Sequence, residues 1–514
     1  MRGGVVCLLW AVPNFLSLIF QGSHMNAVER VLAVVAPGLA LKRAQSRHLL
    51  AMYEGAERSR LRKLHREVNS INDLVRKSGP TLRAQARYLE RNHDISRGAL
   101  GTLVNNVVGP KGIGIEPQPR RLDGSIHTEY AAALREAFND WEKCPEVTKR
   151  FQWSRAQRLM ARRWIADGEV FAQEVIGPVP TLNHGTLVPY SIEMLEADMV
   201  PMDYNQNLPE GGTVRQGIER NTWGEIKGFW VYKVQPDEYM YSATPNLVKR
   251  IPAERMLHLF NIDRIHQLRG VSQFASVITR IEDIKDYEES ERVAAKIAAM
   301  LTAYIKKGEA SQYPIDPDQN NAPRQLNLQA GTIIDSLTVG EEIGMIDSNR
   351  PNPNLVTFRQ GQLRAVAAGL GASYSSISRD YNGTYSAQRQ ELVEQWVNYA
   401  VLCDDFVGDI VQPVWERFVM VAHLSGVVPM PKDVKVNTQD DCLFIAQQMP
   451  WIDPLKEVKG AVAAIEGGLS SHPAEIRKRG DSPDDVIHQE SDFLKRATDL
   501  GLDLGTGKQK TGGV

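Results

Sequence analysis

The sequence predicts an α+β chain in which a mixed N-terminal half leads into long helices, and three observations carry that expectation. First, from Leu182 to Phe260 the apolar residues recur with a period of two, as half-buried strands require. Second, no Gly or Pro occurs from Val271 to Lys307, where Phe274, Val277, Ile281, Ile284, Tyr287, Ala294, Ile297, Leu301 and Tyr304 fall on one helical stripe. Third, 514 residues with 42% hydrophobic and 24% charged side chains have the composition of ordinary globular domains, which excludes a disordered, collagen-like or polytopic membrane chain. A formal net charge of -2 confines any contact with nucleic acid to local patches or to a ring of subunits. Four cysteines, Cys7, Cys144, Cys403 and Cys442, without any C-x-x-C spacing, read as buried thiols rather than a disulfide or zinc framework.

Taken in order, residues 1-24 contain an apolar run, Val5 to Phe20, broken by Pro13 and Asn14. The run is short for a membrane span, which needs about 20 apolar residues. With Gly22-Ser23-His24-Met25 behind it, it reads as a non-native or mis-started leader. From Leu41 to Arg91 thirteen Lys or Arg stand against five acids, spaced through a helical pattern; a solvated helix face is the first reading and a nucleic-acid surface the second. Helices are expected at His127 to Lys143 and Ser154 to Ala166, with a strand around Ile113 and Ile115. Gly217 to Arg220 and Ile226 to Lys233 form a hairpin pattern about Asn221-Thr222-Trp223-Gly224-Glu225. The Gly- and Pro-free stretch predicts a rod over 273-307, with Ala294, Ala298 and Ala299 small enough for a neighbouring helix to approach closely. Gly308 to Pro353 reads as a strand-and-loop insertion. Helix returns at Leu355 to Leu370, breaks at Gly371 to Gly383, and resumes from Ser386 to Val411, where Pro413 should kink or end it. Two short helices are expected toward the C-terminus, one opened by Ser482-Pro483-Asp484-Asp485, before a Gly- and Lys-rich tail read as disordered.

Catalytic patterns fail. Gly505-Thr506-Gly507-Lys508-Gln509 lacks the first glycine, the Ser or Thr and the following helix of a phosphate-binding loop. Gly270-Val271-Ser272 and Gly371-Ala372-Ser373 begin like nucleophile elbows without the closing Gly. His258 and His266 lie eight apart with no metal-ligand spacing, and His258 reads as a hydrogen-bonded core histidine. Asp404-Asp405, Asp440-Asp441 and Asp484-Asp485 are adjacent pairs whose side chains diverge. No catalytic residue, metal site or cofactor is expected.

The block Arg250 to Phe260 (RIPAERMLHLF), followed by Arg264, Gln267-Leu268-Arg269-Gly270-Val271 and the Ala-rich rod to Ala299, resembles the lambda-type portal proteins of tailed bacteriophages. Gly331 to Ile334 with Gly340-Glu341-Glu342, Leu363 to Gly371 running into Arg379 to Gly383 with Tyr385-Ser386, and Trp451 to Glu457 with Gly468-Leu469 agree with it, spanning about Met25 to Gln489. Ile265-His266 replaces the family's usual Pro-Gly, and Ser272 a common Pro. The resemblance implies a portal fold: wing (25-272), long stem helix (273-307), small β-containing clip (308-353), return helices (354-425) with a tunnel loop at 371-383, and C-terminal wing and crown helices with a tail (426-514). It implies a homo-oligomeric ring, usually of twelve subunits, at one capsid vertex of the virion, assembled in the bacterial host cytoplasm as a conduit for packaging and ejection. Implied partners are double-stranded DNA held without sequence preference, the terminase large subunit, capsid and scaffold proteins, and head-completion proteins, with no membrane. Arg379, Tyr381, Asn382 and Arg389 are the candidate DNA-facing residues, and Ala294, Ala298 and Ala299 the candidate oligomer contacts. The alternatives from the residues alone are a nucleic-acid-processing or hydrolytic enzyme and a non-portal structural adaptor.

Overall fold

The structure, a computed structural model, describes residues 36–39, 42–43, 69–236, 247–300, 304–307, 341–344, 354–449 and 453–501. The apolar leader and the C-terminal tail beyond residue 501 lie outside the described residues. The chain divides after Asn69, and of the preceding unit residues 36–39, 42–43 and 69 are described, with 37–39 and 42–43 helical.

Helix α1 (Ile71–Asn92) opens on Ser70 and buries Val75, Gly79, Arg83, Ala86 and Leu89 along one face. His93 ends it and caps the next, α2 (Asp94–Val107), its Nδ1 accepting from the Ile95 N–H at 3.2 Å. The expected strand at Ile113 and Ile115 is β1 (Gly114–Pro117). α3 (Thr128–Trp141) and α4 (Trp153–Asp167) match the expected helices to within a few residues. Trp141, Trp153 and Trp164 are fully buried, and Trp141 stacks on Tyr190 at 5.4 Å. Each such ring stabilises the fold by about 1.5–3 kcal/mol through burial alone.

Two antiparallel sheets follow. β2 (Glu169–Ile176) lies between β3 (Tyr190–Leu195) and the later β9 (Met256–Phe260). The second sheet runs β4 (Gln206–Asn207), β5 (Thr213–Arg215), β6 (Ile218–Arg220), β7 (Ile226–Tyr232) and β8 (Val248–Pro252) in sequence order. The predicted hairpin is β6–β7, with Phe229 opposite Ile218 across the pair. Phe171, Val214, Phe229, Val231, Ile251 and Leu268 form the core beneath this sheet.

The rod is shorter than expected. α5 (Ile278–Met300) begins five residues later than the predicted stem, because Gln273 to Val277 form turns in which the Val277 N–H donates to the Phe274 carbonyl (2.8 Å) and Ser272 Oγ accepts from the Phe274 N–H (3.2 Å). It ends before the predicted Lys307, because Tyr304–Lys307 is strand β10, paired antiparallel with β11 (Glu341–Gly344). β-branched and aromatic residues here favour a pleated strand once a partner strand is supplied. The 23-residue helix spans about 35 Å. β11 lies inside the predicted insertion of 308–353 and pairs with the strand that precedes it, which places residues 307 and 341 side by side.

α6 (Leu355–Leu370) has the predicted bounds and runs antiparallel to α5: Arg359 donates to Glu288 (2.5 Å), Arg280 to Gln362 (2.8 Å), and the Tyr287 and Phe358 rings meet at 4.8 Å. A short helix α7 (Tyr374–Ser378) occupies the predicted break. α8 (Tyr385–Phe406) continues through a π turn at Val407–Val411 into α9 (Gln412–Leu424). The helical run thus continues past Pro413 rather than ending at it. Lacking an N–H, Pro413 leaves the Asp409 carbonyl without an i+4 donor, and the widened turn just before it absorbs the mismatch.

α9 supplies Trp415 and Phe418 to the core around Phe138 and Trp141, and β12 (Cys442–Ile445) pairs with β1. Three C-terminal helices follow rather than two: α10 (Pro454–Glu466), α11 (His472–Arg477) and α12 (Pro483–Asp499). Arg477 binds Glu116 through two hydrogen bonds (2.8 and 2.6 Å) and Arg135 reaches Asp485 (3.1 Å), tying α11 and α12 to the N-terminal half. Ser482 precedes α12 as predicted, but its hydroxyl makes no capping bond.

A buried ionic knot joins these layers. Glu169 is fully buried and its carboxylate accepts from Arg269 Nε (2.9 Å to each oxygen) and Nη2 (2.7 Å), from Arg83 Nη2 (3.0 Å) and from the Gly270 N–H (3.0 Å). Arg269 also donates to the carbonyls of Val200 (2.9 Å), Gln216 (2.9 Å) and Ala197 (3.0 Å). Arg83 and Arg87 extend the knot to Asp198 (2.7 and 2.5 Å), and Arg87 holds Asp167 at 3.0 and 2.7 Å. The solvated-face reading of the basic segment is thus corrected at Arg83 and Arg87, which face inward, while Arg76, Lys77 and Arg91 are exposed. His258 is the core histidine expected: its Nε2 lies 3.3 Å from Glu169, and its ring is stacked between Phe171 and Phe260 at 4.2 Å from each.

This knot sets a pH dependence. Burial alone would raise the Glu169 carboxyl; the adjoining Arg269 charge, aided by His258 and Arg83, outweighs it and holds the group far below the usual carboxylate range. Burial lowers His258 below its ordinary 6.5, against the opposing pull of Glu169. Both groups resist protonation in the folded state more than in the unfolded chain. Their contributions are whole at neutral pH and decline on acidification, for His258 as pH falls below 6.5 and for Glu169 below its ordinary 4.5. Urea midpoints measured from pH 7.5 to pH ~4 should fall; a midpoint that is flat or rises on acidification contradicts the assignment.

Candidate functional site: the 371–383 segment and the outer helix faces

Gly371 ends α6 in the left-handed region (φ 65), where its carbonyl accepts from the side-chain amides of Gln395 and Asn398 on α8. Ser373 then caps α7, its Oγ accepting from the Ser376 N–H at 3.1 Å. Glu391 on α8 accepts from both the backbone N–H (3.2 Å) and the hydroxyl of Ser375. The break between α6 and α8 is therefore a built corner held from one side by α8.

Arg379 follows α7 with φ 57, a left-handed conformation uncommon for a side chain of its size, and is exposed. Beside it Asp380 is occupied: its carboxylate accepts from the Tyr374 hydroxyl (3.2 Å) and the Asn382 N–H (3.2 Å). Tyr381 is 58% exposed, and its carbonyl accepts from the Gln388 amide. Asn382 is exposed. Arg389 sits apart from these three, half-buried on α8 and within electrostatic reach of Lys456, which pairs with Asp453 at 2.9 Å. Among the described residues neither Arg379 nor Arg389 forms an ion pair. Three of the four predicted residues thus share one exposed turn, and the fourth lies one helix further on.

Of the predicted helix contacts, Ala294 is half-buried on α5. Ala298 and Ala299 lie in its last turn, and their side chains fall outside the described residues. Sequence reading missed a feature on α8, where Val393, Val397 and Val401 are 44%, 66% and 56% exposed. Spacing by four puts them on one ridge, and that spacing was the signal available in the sequence. Farther along, burial and the neighbouring Asp404 push the Asp405 carboxyl up, and burial and Asp405 do the same to Asp409. Among the described residues no group of three His, Cys, Asp or Glu is placed to hold a metal ion, and no helix is long and apolar enough to cross a membrane.

The family model described as phage portal protein, lambda family, matches residues 57–402 of this chain. A probable portal protein of Halomonas phage phiHAP-1 is 25% identical over 443 residues, covering 85% of this chain and 84% of its own length. Portal protein B of Escherichia phage lambda is 23% identical over 449 residues, covering 79% and 82%. Among solved structures, a chain in the neck of a native gene transfer agent particle, computed with C12 symmetry, aligns with 79% of this chain and 94% of its own, at 12% identity and a TM-score of 0.44.

Proposed function

Since the chain belongs to the lambda family of phage portal proteins, we propose that it assembles as a ring, of about twelve copies as the resemblance to the portal family implies, at one capsid vertex of the virion and acts as the conduit for double-stranded DNA in packaging and ejection. The observation that carries this reading is the α5–α6 pair, which bears the strand-closed excursion 308–340 at one end and the exposed 371–383 corner at the other. In this reading α5 and α6 are the stem, 308–353 is the clip, and the helices after 426 belong to the wing and crown. Residues 25-272 form the wing. Assembly takes place in the host cytoplasm with capsid and scaffold proteins, and head-completion proteins bind later. The protein is structural rather than enzymatic, so translocation energy comes from the terminase large subunit. End-on electron microscopy of the purified protein tests the reading: closed rings with a continuous channel are expected, and a solely monomeric preparation overturns it.

Arg379, Tyr381, Asn382 and Arg389 line the channel in this proposal. A conduit must let DNA slide, so one exposed cation per subunit, repeated around a ring, is enough. Arg379→Ala should leave ring yield unchanged and lower DNA retention in filled heads, with a salt dependence shallower than wild type because one phosphate contact per subunit is lost. Equal retention across a salt series would give the turn a structural role only.

The clip, Gly308 to Pro353, is the terminase-docking element. Deleting Gln312 to Arg324 should leave rings intact and abolish capture of the terminase large subunit in a pull-down. Undiminished capture would remove the docking assignment.

A further inference from the structure

Two outer faces of this chain differ in relief and in charge. The valine ridge of α8 is flanked by exposed Glu394, Asp404 and Asp405, and no Lys or Arg occurs from Gln390 to Glu416. Among the described residues these three acids form no ion pair. On α6 the balance is opposite, with no Asp or Glu from Asn354 to Ser378. There Arg364 is exposed over the Tyr374 ring at 5.3 Å, and Gly361 and Ala368 lie exposed beside it.

We propose that the Val393–Val397–Val401 ridge of one copy seats on the Gly361–Arg364–Ala368 face of α6 in the next copy, with Arg364 facing the acids that flank the ridge. The inference rests on the ring reading above and names the surfaces that close the ring. An α8 face cannot pair with its own copy about a two-fold axis, since that sets acid against acid, which is repulsive by several kcal/mol. A contact between two unlike faces can run head-to-tail, the kind that generates rings, and the ring reading requires that arrangement. The two faces are also close in length, since Gly361 to Ala368 spans about 10.5 Å of helix and Val393 to Val401 about 12 Å. A ridge of residues four apart needs a shallow groove to receive it, and Gly361 and Ala368 leave one.

The test uses the full chain and reads the fraction in rings by mass photometry. Arg364→Glu and Asp405→Lys are each expected to lower that fraction roughly tenfold. Glu394→Lys is expected to act likewise. Combining Arg364→Glu with one of the two lysine variants should restore it, and whichever combination restores it fixes the direction of the helices. Gly361→Leu supplies a second measurement: nothing lies within 4 Å of a Cβ added there, so the chain should fold normally yet lose rings. Rings that survive Gly361→Leu and all three single reversals overturn this inference alone, as does failure of both combinations to restore assembly. A wild-type chain that forms no rings overturns the ring reading itself.

Discussion

Replacing Arg269 by leucine is expected to destabilise the fold by about 3–5 kcal/mol, the range for removing one partner of a buried ion pair. The guanidinium is wholly buried and makes contact with the Glu169 carboxylate and three carbonyls. Leucine would leave the carboxylate with Arg83 as its remaining strong cationic partner and the Val200 and Gln216 carbonyls without the donor they have, while the Ala197 carbonyl keeps the Val200 N–H at 3.4 Å. Lysine does not substitute, because a point charge cannot address a carboxylate and three carbonyls in separate directions at once. Urea unfolding of Arg269→Leu, Arg269→Lys and a double variant with Glu169→Leu separates the terms. The double variant should recover part of the loss, since it removes the stranded charge together with its partner. If Arg269→Leu costs under about 1 kcal/mol, the knot does not hold these layers together.

An equally large effect is expected from Gly270→Ala, where a single methyl group meets backbone rather than a yielding side chain. A Cβ at Gly270 would sit 2.0 Å from the Gly168 carbonyl oxygen, and one at Gly168 would sit 2.3 Å from the Val271 carbonyl carbon. Gly168 is the left-handed cap of α4 (φ 93), so it is constrained by conformation as well as by space. The two glycines let the end of α4 cross the irregular segment leading into α5 in van der Waals contact, and the Gly270 N–H thereby reaches Glu169. Gly270→Ala must force these backbones apart, and a loss of at least about 4 kcal/mol is expected, measured as the urea midpoint or as loss of soluble protein. A variant of wild-type stability would show that the crossing opens without penalty.

The two predictions concern residues that local sequence marks only weakly. Helices such as Leu355–Leu370 are legible because periodicity, a terminal glycine and the absence of proline agree over sixteen residues. The strand at Tyr304–Lys307 is not, since its residues continue the helical stripe and only pairing with Glu341–Gly344 turns them. β12 has just four residues, too few for a period to show. Arg83 and Arg87 look like solvent-facing residues on a helix because their partners Glu169, Asp167 and Asp198 lie 80 to 115 positions away. For the 371–383 corner, glycine placement marks the break, and Arg379, Tyr381 and Asn382 fall together on it. The brace that Glu391, Gln395 and Asn398 supply from α8 depends on how two helices meet, which no local pattern encodes.

The pairing of β1 with β12 also has a consequence in time. Gly114–Pro117 emerges during translation well before Cys442–Ile445, as do Phe138 and Trp141 before Trp415 and Phe418. At about 5–20 residues per second the ribosome needs roughly 15–65 s to supply the missing strand and aromatic rings. Throughout that interval the nascent N-terminal half presents an unpaired strand edge and an open aromatic surface, the two features that drive association between unfinished chains. Neighbouring polysomes therefore hold sticky half-proteins at high local concentration. The yield of native subunits should be limited by protection of that intermediate, by a chaperone or by slow synthesis in the cold, more than by the stability of the finished fold.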